Sequence, residues 1–174
     1  MLKRLLVKPS LGTLSFFLIA SIVVAFDQMT KRLIEFYIPF GASRPEEGFF
    51  RLTHVYNTGA AFGILKDHRL LLCCFSVFGT LLILYIALVL RKRFPFLSWK
   101  TSLLALGLIL GGTIGNMLDR VFIGHVTDFL KVWIWADFNI ADSSLVTGNL
   151  LIAFNILRFS KERRPDEANR NTNS

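Results

Sequence analysis

Two aspartates sit beside apolar stretches late in this 174-residue chain: Asp128 in Gly124-His125-Val126-Thr127-Asp128-Phe129 and Asp142 in Phe138-Asn139-Ile140-Ala141-Asp142. An ionised carboxylate at or inside a bilayer costs roughly 2.5 to 3.5 kcal/mol even on lenient insertion scales, so acids in such places usually have a task. Two carboxylates that meet at a membrane surface suit acid and base chemistry. Asp27 and Lys31 stand at i and i+4, the favourable acid-first order for a helical ion pair. They are either an interfacial helix-end pair or part of a site. The run Asn57-Thr58-Gly59-Ala60-Ala61-Phe62 has two readings as well, because Asn and Gly tolerate positive φ and small residues admit a close backbone. It is a structural turn or a place where a substrate backbone approaches.

These residues need a scaffold, and the composition points to a membrane one. At 53% hydrophobic with positive mean hydropathy, the chain has room for one domain and is too apolar for an ordinary soluble one. The net charge of +8 brings no aromatic-basic interleaving or nucleic-acid motif with it, so nucleic acid is not an expected partner. Charge-free windows cover residues 10–26, 70–90, 101–118 and 143–157. A helix rises about 1.5 Å per residue and needs about 20 residues to cross a hydrocarbon core of about 30 Å. The fourth window is short by itself and recruits residues 139–142, which draws Asp142 towards the interface. The fold class expected is an all-α polytopic membrane protein, with four transmembrane helices at about 10–28, 69–90, 100–118 and 139–158.

Lysines and arginines give the orientation. Lys3, Arg4 and Lys8 precede the first span, Arg91, Lys92, Arg93 and Lys100 crowd the short second connection, and Arg158, Lys161, Arg163, Arg164 and Arg170 follow the fourth. By the positive-inside rule both termini are cytoplasmic, and segments of about 29–68 and 119–138 face outward with both aspartates. The first span is read as retained rather than as a cleaved signal peptide, because its apolar run exceeds the usual signal core. The Phe49–Tyr56 run, with β-favouring residues and partial alternation, predicts a small extracytoplasmic sheet resting on the membrane. The tail of about 159–174, rich in charge and Asn, is expected to be disordered. Adjacent Cys73 and Cys74 lie inside the second span, where neither a disulfide framework nor a metal site is plausible.

The third span carries a packing signal. Gly107, Gly111 and Gly115 recur every four residues with Gly112 beside them, a stripe that lets helices approach closely. Four residues further the stripe reaches Asp119, and Gly112, Asn116 and Arg120 form the adjoining one. Asp119 and Arg120 do not face each other on a helix, so each must find its partners elsewhere.

Taken in order, DQMTK at 27–31, NTGAAF at 57–62, GGTIGNMLDR at 111–120, VTDF at 126–129 and FNIAD at 138–142 resemble the successive signature blocks of lipoprotein signal peptidase, or signal peptidase II. The resemblance runs from about residue 14 to residue 157. It implies an aspartic endopeptidase of the bacterial inner membrane that cleaves prolipoproteins just before a cysteine carrying a diacylglyceryl group. It maps the catalytic pair to Asp128 and Asp142, and supporting pocket positions to Asp27, Lys31, Asn57, Gly111, Asn116, Asp119, Arg120, Asn139 and Ala141. It further implies inhibition by the cyclic peptide globomycin, contact with membrane lipid, and no cofactor or metal. One departure is the interval between the two aspartates, a few residues shorter than is usual in that family, which compresses the loop with Lys131, Trp133 and Trp135.

The chemistry is consistent with that implication. Two carboxylates within a few ångströms cannot both ionise cheaply, so they share a proton; the ionised one activates water and the protonated one polarises a carbonyl. The substrate's acyl chains would stay in the bilayer while its signal helix lies between the spans. Trp133 and Trp135 either anchor the nearby loop at the headgroups or form an ordinary aromatic belt. Arg120 braces the Asp128 loop or the substrate backbone, and Asn57 and Asn139 can hydrogen-bond an extended substrate. His54, His68 and His125 lack the HExxH spacing of a zinc peptidase, and Ser143 and Ser144 have no evident basic partner. Asp137, inside the catalytic interval, is read as a solvated loop acid. The rival class is a small proton-coupled transporter, where intramembrane acids and glycine-rich helices are equally expected. Against it, the acids gather on one side and no inverted repeat is present.

Overall fold

The computed structural model describes residues 10–60 and 64–172, with side chains to residue 162. Ala61 and Phe62 of the 57–62 block, and the N-terminal Lys3, Arg4 and Lys8, lie outside the described residues. Among those described, four helices are long and apolar enough to cross a membrane: Leu11–Tyr37, Arg69–Lys92, Lys100–Phe122 and Ile140–Glu162. A bilayer core holds no water for unpaired amides, so a spanning segment must satisfy its backbone within itself, as a helix does. We name the helices α1 (Leu11–Tyr37), α2 (Arg69–Leu88), α3 (Lys100–Phe122) and α4 (Ile140–Thr172). The polytopic membrane fold expected from the sequence is the fold observed.

Helix α3 is the centre of the bundle: α1 and α4 pack along it, and α2 packs mainly on it from another side. Phe16 and Ala20 of α1, Ile83 and Ala87 of α2, and Leu106 and Leu110 of α3 form one buried core. Large apolar residues elsewhere are exposed, among them Leu70, Phe78 and Leu81 on α2 and Leu150, Phe154 and Leu157 on α4. An exposed apolar belt of that extent is the surface of a protein solvated by lipid. At the opposite end from the sheet, Asn155 donates to Ser102 Oγ at 2.9 Å, and Arg91, in the short α2–α3 connection, donates to Thr13 Oγ1 of α1 at 2.6 Å.

Strands β1 (Ser43–Arg44), β2 (Phe50–Asn57) and β3 (Val126–Val132) form a small antiparallel sheet in that order. Its register sets Val55 opposite Asp128 and Phe50 opposite Val132, with an irregularity between Leu52 and Val55. Ile34, Ile38 and Phe129, joined by Leu52, Leu130 and Ile140, seat the sheet where α1 ends and α4 begins. His54 is buried there and donates from Nδ1 to Ile38 O at 2.7 Å.

The backbone departs from expectation in one place. Segment 159–172, expected to be disordered, continues α4 as helix to Thr172. Its Lys, Glu, Arg and Ala are good helix formers, and Arg158 Nε donates to Glu162 Oε1 at 2.9 Å one turn on.

Candidate active site

The site is assembled where α1, α3, α4 and the sheet meet. On α3 the glycines decide how near the helices come. A Cβ on Gly112 would strike the backbone oxygen of Ala141, and one on Gly115 would stand 2.7 Å from Asp27 Oδ2. Only hydrogen at these positions lets α4 and the α1 carboxylate lie against α3. Gly111 faces α1 in the same way, against Ala20 O and Val23.

A buried ion cluster then locks α1 to α3. Lys31 Nζ lies 2.7 Å from Asp27 Oδ2 and 2.7 Å from Asp119 Oδ2, and all three side chains are at most 2% exposed. The approach to Asp119 Oδ2 is outside hydrogen-bond geometry, so that contact is electrostatic. Lys31 also donates to Asn116 Oδ1 at 3.0 Å, and Gln28 Nε2 donates to Asp119 Oδ1 at 2.8 Å and to Gly115 O at 3.2 Å. The other Asp27 oxygen accepts the amide of Ala141 at 2.9 Å, which ties the first turn of α4 into the cluster.

That first turn is a capping box. Asn139 Oδ1 accepts from the Asp142 amide at 2.9 Å, and Asp142 Oδ2 accepts from the Asn139 amide at 3.2 Å. The reciprocal bonds satisfy two donors at the helix start and fix the Asp142 carboxylate, which the helix dipole also favours there. Its second oxygen, Oδ1, accepts from Asn116 Nδ2 at 2.7 Å.

Asp128 arrives on β3. Its Oδ1 accepts from Asn139 Nδ2 at 2.7 Å and its Oδ2 from Asn57 Nδ2 at 3.0 Å. Asn139 therefore bridges the two aspartates, while Asn116 links Asp142 back to Lys31. Burial first, and the negative charge of Asp142 second, hold the Asp128 carboxyl up to about 7, against the opposing pull of its two asparagine bonds. Asn57 Oδ1 also accepts from the Gly59 amide at 2.9 Å, and Arg120 Nη2 donates to Gly59 O at 3.0 Å, so the 57–60 turn is held from both sides. Arg120 thus braces this turn rather than the Asp128 loop. Arg69 closes the end of α3 by donating to Arg120 O and Val121 O, each at 2.6 Å.

The residues singled out from the sequence blocks at 27, 31, 57, 116, 119, 120, 128, 139, 141 and 142 lie in or against this cluster, while Gly111 packs on Ala20 and Val23 of α1 beside it. Trp133 and Trp135 do not join it; they are 60% and 69% exposed on the turn after β3. Two participants were not anticipated. Gln28 links Asp27, Gly115 and Asp119, and its place inside the 27–31 block was the available signal. Thr127 Oγ1 donates to Glu35 Oε1 at 2.7 Å, pairing α1 with the strand that carries Asp128, and no spacing rule connects those two positions. The Asn139-to-Asp142 cap was legible as an N-x-x-D start before an apolar run.

Chemically, the cluster offers one buried and one partly buried carboxylate joined through one asparagine, the buried one, Asp128, held near half protonation at neutral pH. The family described as Signal peptidase (SPase) II matches residues 19–158. A lipoprotein signal peptidase of Dehalococcoides mccartyi (strain CBDB1) is 46% identical over 135 residues, covering 78% of this chain and 84% of that protein. One from Paraburkholderia phymatum is 40% identical over 166 residues, covering 90% and 96%. A bacterial membrane enzyme solved by the in meso method at 2.3 Å superposes with a TM-score of 0.75 at 32% identity, covering 86% of this chain and 91% of its own. A match of that length, together with relatives well above 30% identity over most of both chains, means that this chain belongs to the signal peptidase II family.

Proposed function

We infer that this protein removes signal peptides from bacterial prolipoproteins as an aspartic endopeptidase, with Asp128 and Asp142 as the catalytic pair. One observation carries the catalytic assignment: Asn139 hydrogen-bonds both carboxylates, the buried one of Asp128 and the partly buried one of Asp142. With Asp128 held up to about 7, one proton is available to the pair at neutral pH while a negative charge remains. The ionised carboxylate takes a proton from water as the water oxygen bonds to the scissile carbonyl carbon. The protonated partner donates to the carbonyl oxygen as it gains charge. As the diol collapses, one of its hydroxyls returns its proton to the pair while the departing nitrogen takes the other, so the C–N bond breaks and the starting protonation is restored. Asn57 and Asn139 hold Asp128, Asn116 and the capping box hold Asp142, and Arg120 keeps the 57–60 turn beside them. A transporter finds no support in the relatives.

The distribution of lysine and arginine supports an inner-membrane protein with both termini cytoplasmic and the dyad on the outer side. A substrate whose cysteine bears diacylglycerol can then keep its acyl chains in the bilayer while the peptide reaches the sheet end of the bundle. Globomycin is the inhibitor expected of this pocket. The test is cleavage of a diacylglyceryl-modified prolipoprotein by the purified protein, beside Asp128→Asn and Asp142→Asn. Each variant is expected to fold and to lose turnover by at least about a thousandfold, and the unlipidated substrate to be cut poorly. Normal turnover in either variant removes that residue from the pair, and equal rates on both substrates refute lipid recognition.

A further inference from the structure

The stretch between the aspartates is a folded-back strand end with its own fastening. After β3 the chain turns through Trp133, whose φ is 49°, with Trp135 N donating to Val132 O at 3.0 Å. It returns so that Phe138 pairs with Leu130, each amide donating to the other's carbonyl at 3.0 and 2.7 Å. Asn139 follows immediately. Between turn and return stands Asp137, which is 17% exposed rather than freely solvated. Its Oδ1 accepts from Thr53 Oγ1 at 2.7 Å and its Oδ2 from Lys131 Nζ at 2.9 Å. Thr53 belongs to the central strand, paired with Ser43 of β1, and Lys131 stands directly opposite Arg51 in the β2–β3 register. Like charges facing each other across strands are destabilising, and the Asp137 carboxylate offsets that pair while tying the return to the centre of the sheet. Arg51 directs Nη1 at Glu46 O, 3.1 Å away.

We propose that Asp137 is a positioning residue for the peptidase reaction. Clamped between Thr53 and Lys131, it fixes the short return segment so that Asn139 reaches Asp128 Oδ1 and caps Asp142 at the same time. The inference rests on the dyad reading above. It corrects the expectation of a solvated loop acid. The return from Trp133 to Asn139 is short, so a partly buried fastening at Asp137 leaves it little slack.

The experiment measures kcat and KM against pH on diacylglyceryl-modified prolipoprotein for wild type, Asp137→Ala and Asp137→Asn, with Asp128→Asn alongside. Loosening Asn139 weakens a bond that favours ionised Asp128. Asp137→Ala is therefore expected to lower kcat about tenfold, keep KM within twofold, and move the alkaline limb of the profile to higher pH. Asp137→Asn, which keeps an acceptor for Thr53, should fall between it and wild type. It carries the test alone, with Thr53→Val, if the alanine variant does not fold. Wild-type kcat in Asp137→Ala overturns the proposal, and so does a reduced kcat with an unmoved limb, the mark of fewer folded molecules. Turnover in Asp128→Asn instead removes the dyad and the clamp's target with it. An inactive Asp128→Asn beside a wild-type-like Asp137→Ala removes the clamp alone.

Discussion

Replacing Lys31 by methionine preserves most of the side chain's volume and removes its charge. The ammonium lies 2.7 Å from both Asp27 and Asp119, all three groups being almost completely buried. Without it two carboxylates stay in the bundle unneutralised, with Gln28 and the Ala141 amide as their remaining donors. Removing one partner of a buried ion pair costs about 3 to 5 kcal/mol, because the stranded charge keeps its desolvation penalty. In a chain of this size 1 kcal/mol moves Tm by about 2 to 4 °C, so Lys31→Met should lower Tm by about 6 to 20 °C. Neutralising the acids as well, in Asp27→Asn/Lys31→Met/Asp119→Asn, should restore much of the loss, since amides can bond one another without the buried charge. The assay is thermal unfolding in detergent by near-ultraviolet circular dichroism. A fall below about 2 °C for the single variant, or a triple variant no more stable than the single one, refutes the claim that this cluster is a charge-compensated lock.

Two further predictions follow from the geometry. Because Asp128 is raised from 3.8 to about 7 in the folded protein, its carboxyl is protonated in both states below about pH 4. The folded state keeps the proton, and the unfolded chain loses it, as pH rises towards 7. Stability is therefore lost across that window, by at most about 4 kcal/mol at about 1.4 kcal/mol per pH unit. Asp128→Asn should be more stable than wild type by a margin that grows between pH 5 and pH 8 in Tm measurements; parallel pH curves would contradict the raised value. Gly112→Val drives a side chain into the Ala141 backbone and Leu145, so α4 must shift and carry Asn139 and Asp142 with it. Turnover should fall at least about a hundredfold with helix content intact by far-ultraviolet circular dichroism, while Gly79→Ala, whose new Cβ meets only Thr113 Cγ2 at 3.8 Å, should stay within twofold. A Gly112→Val enzyme of normal activity would show that this close approach is dispensable.

Much of this protein was legible in its residues alone. Charge-free runs of near-spanning length force helices, because lipid offers no partner for an open backbone, and the Phe49–Tyr56 alternation announced the strand that became β2. The stripe from Gly107 to Gly115 stated that helices would meet closely, and the ordered blocks named residues that the fold gathers at one end of the bundle. What spacing could not say was who meets whom. Lys31 is four residues from Asp27 by design of the helix, yet its second acid, Asp119, is 88 positions away and was found only by packing α1 on α3. Asn139 serves both aspartates because the short return from β3 lands it at the start of α4, and Asp137 holds that return through a strand partner more than 80 residues distant. Local sequence determines the elements, since backbone hydrogen bonding and burial act within a few residues. Only the tertiary fold brings the carboxylates together, because their desolvation, their shared asparagine and the proton on Asp128 arise from contacts between segments that the chain itself keeps far apart.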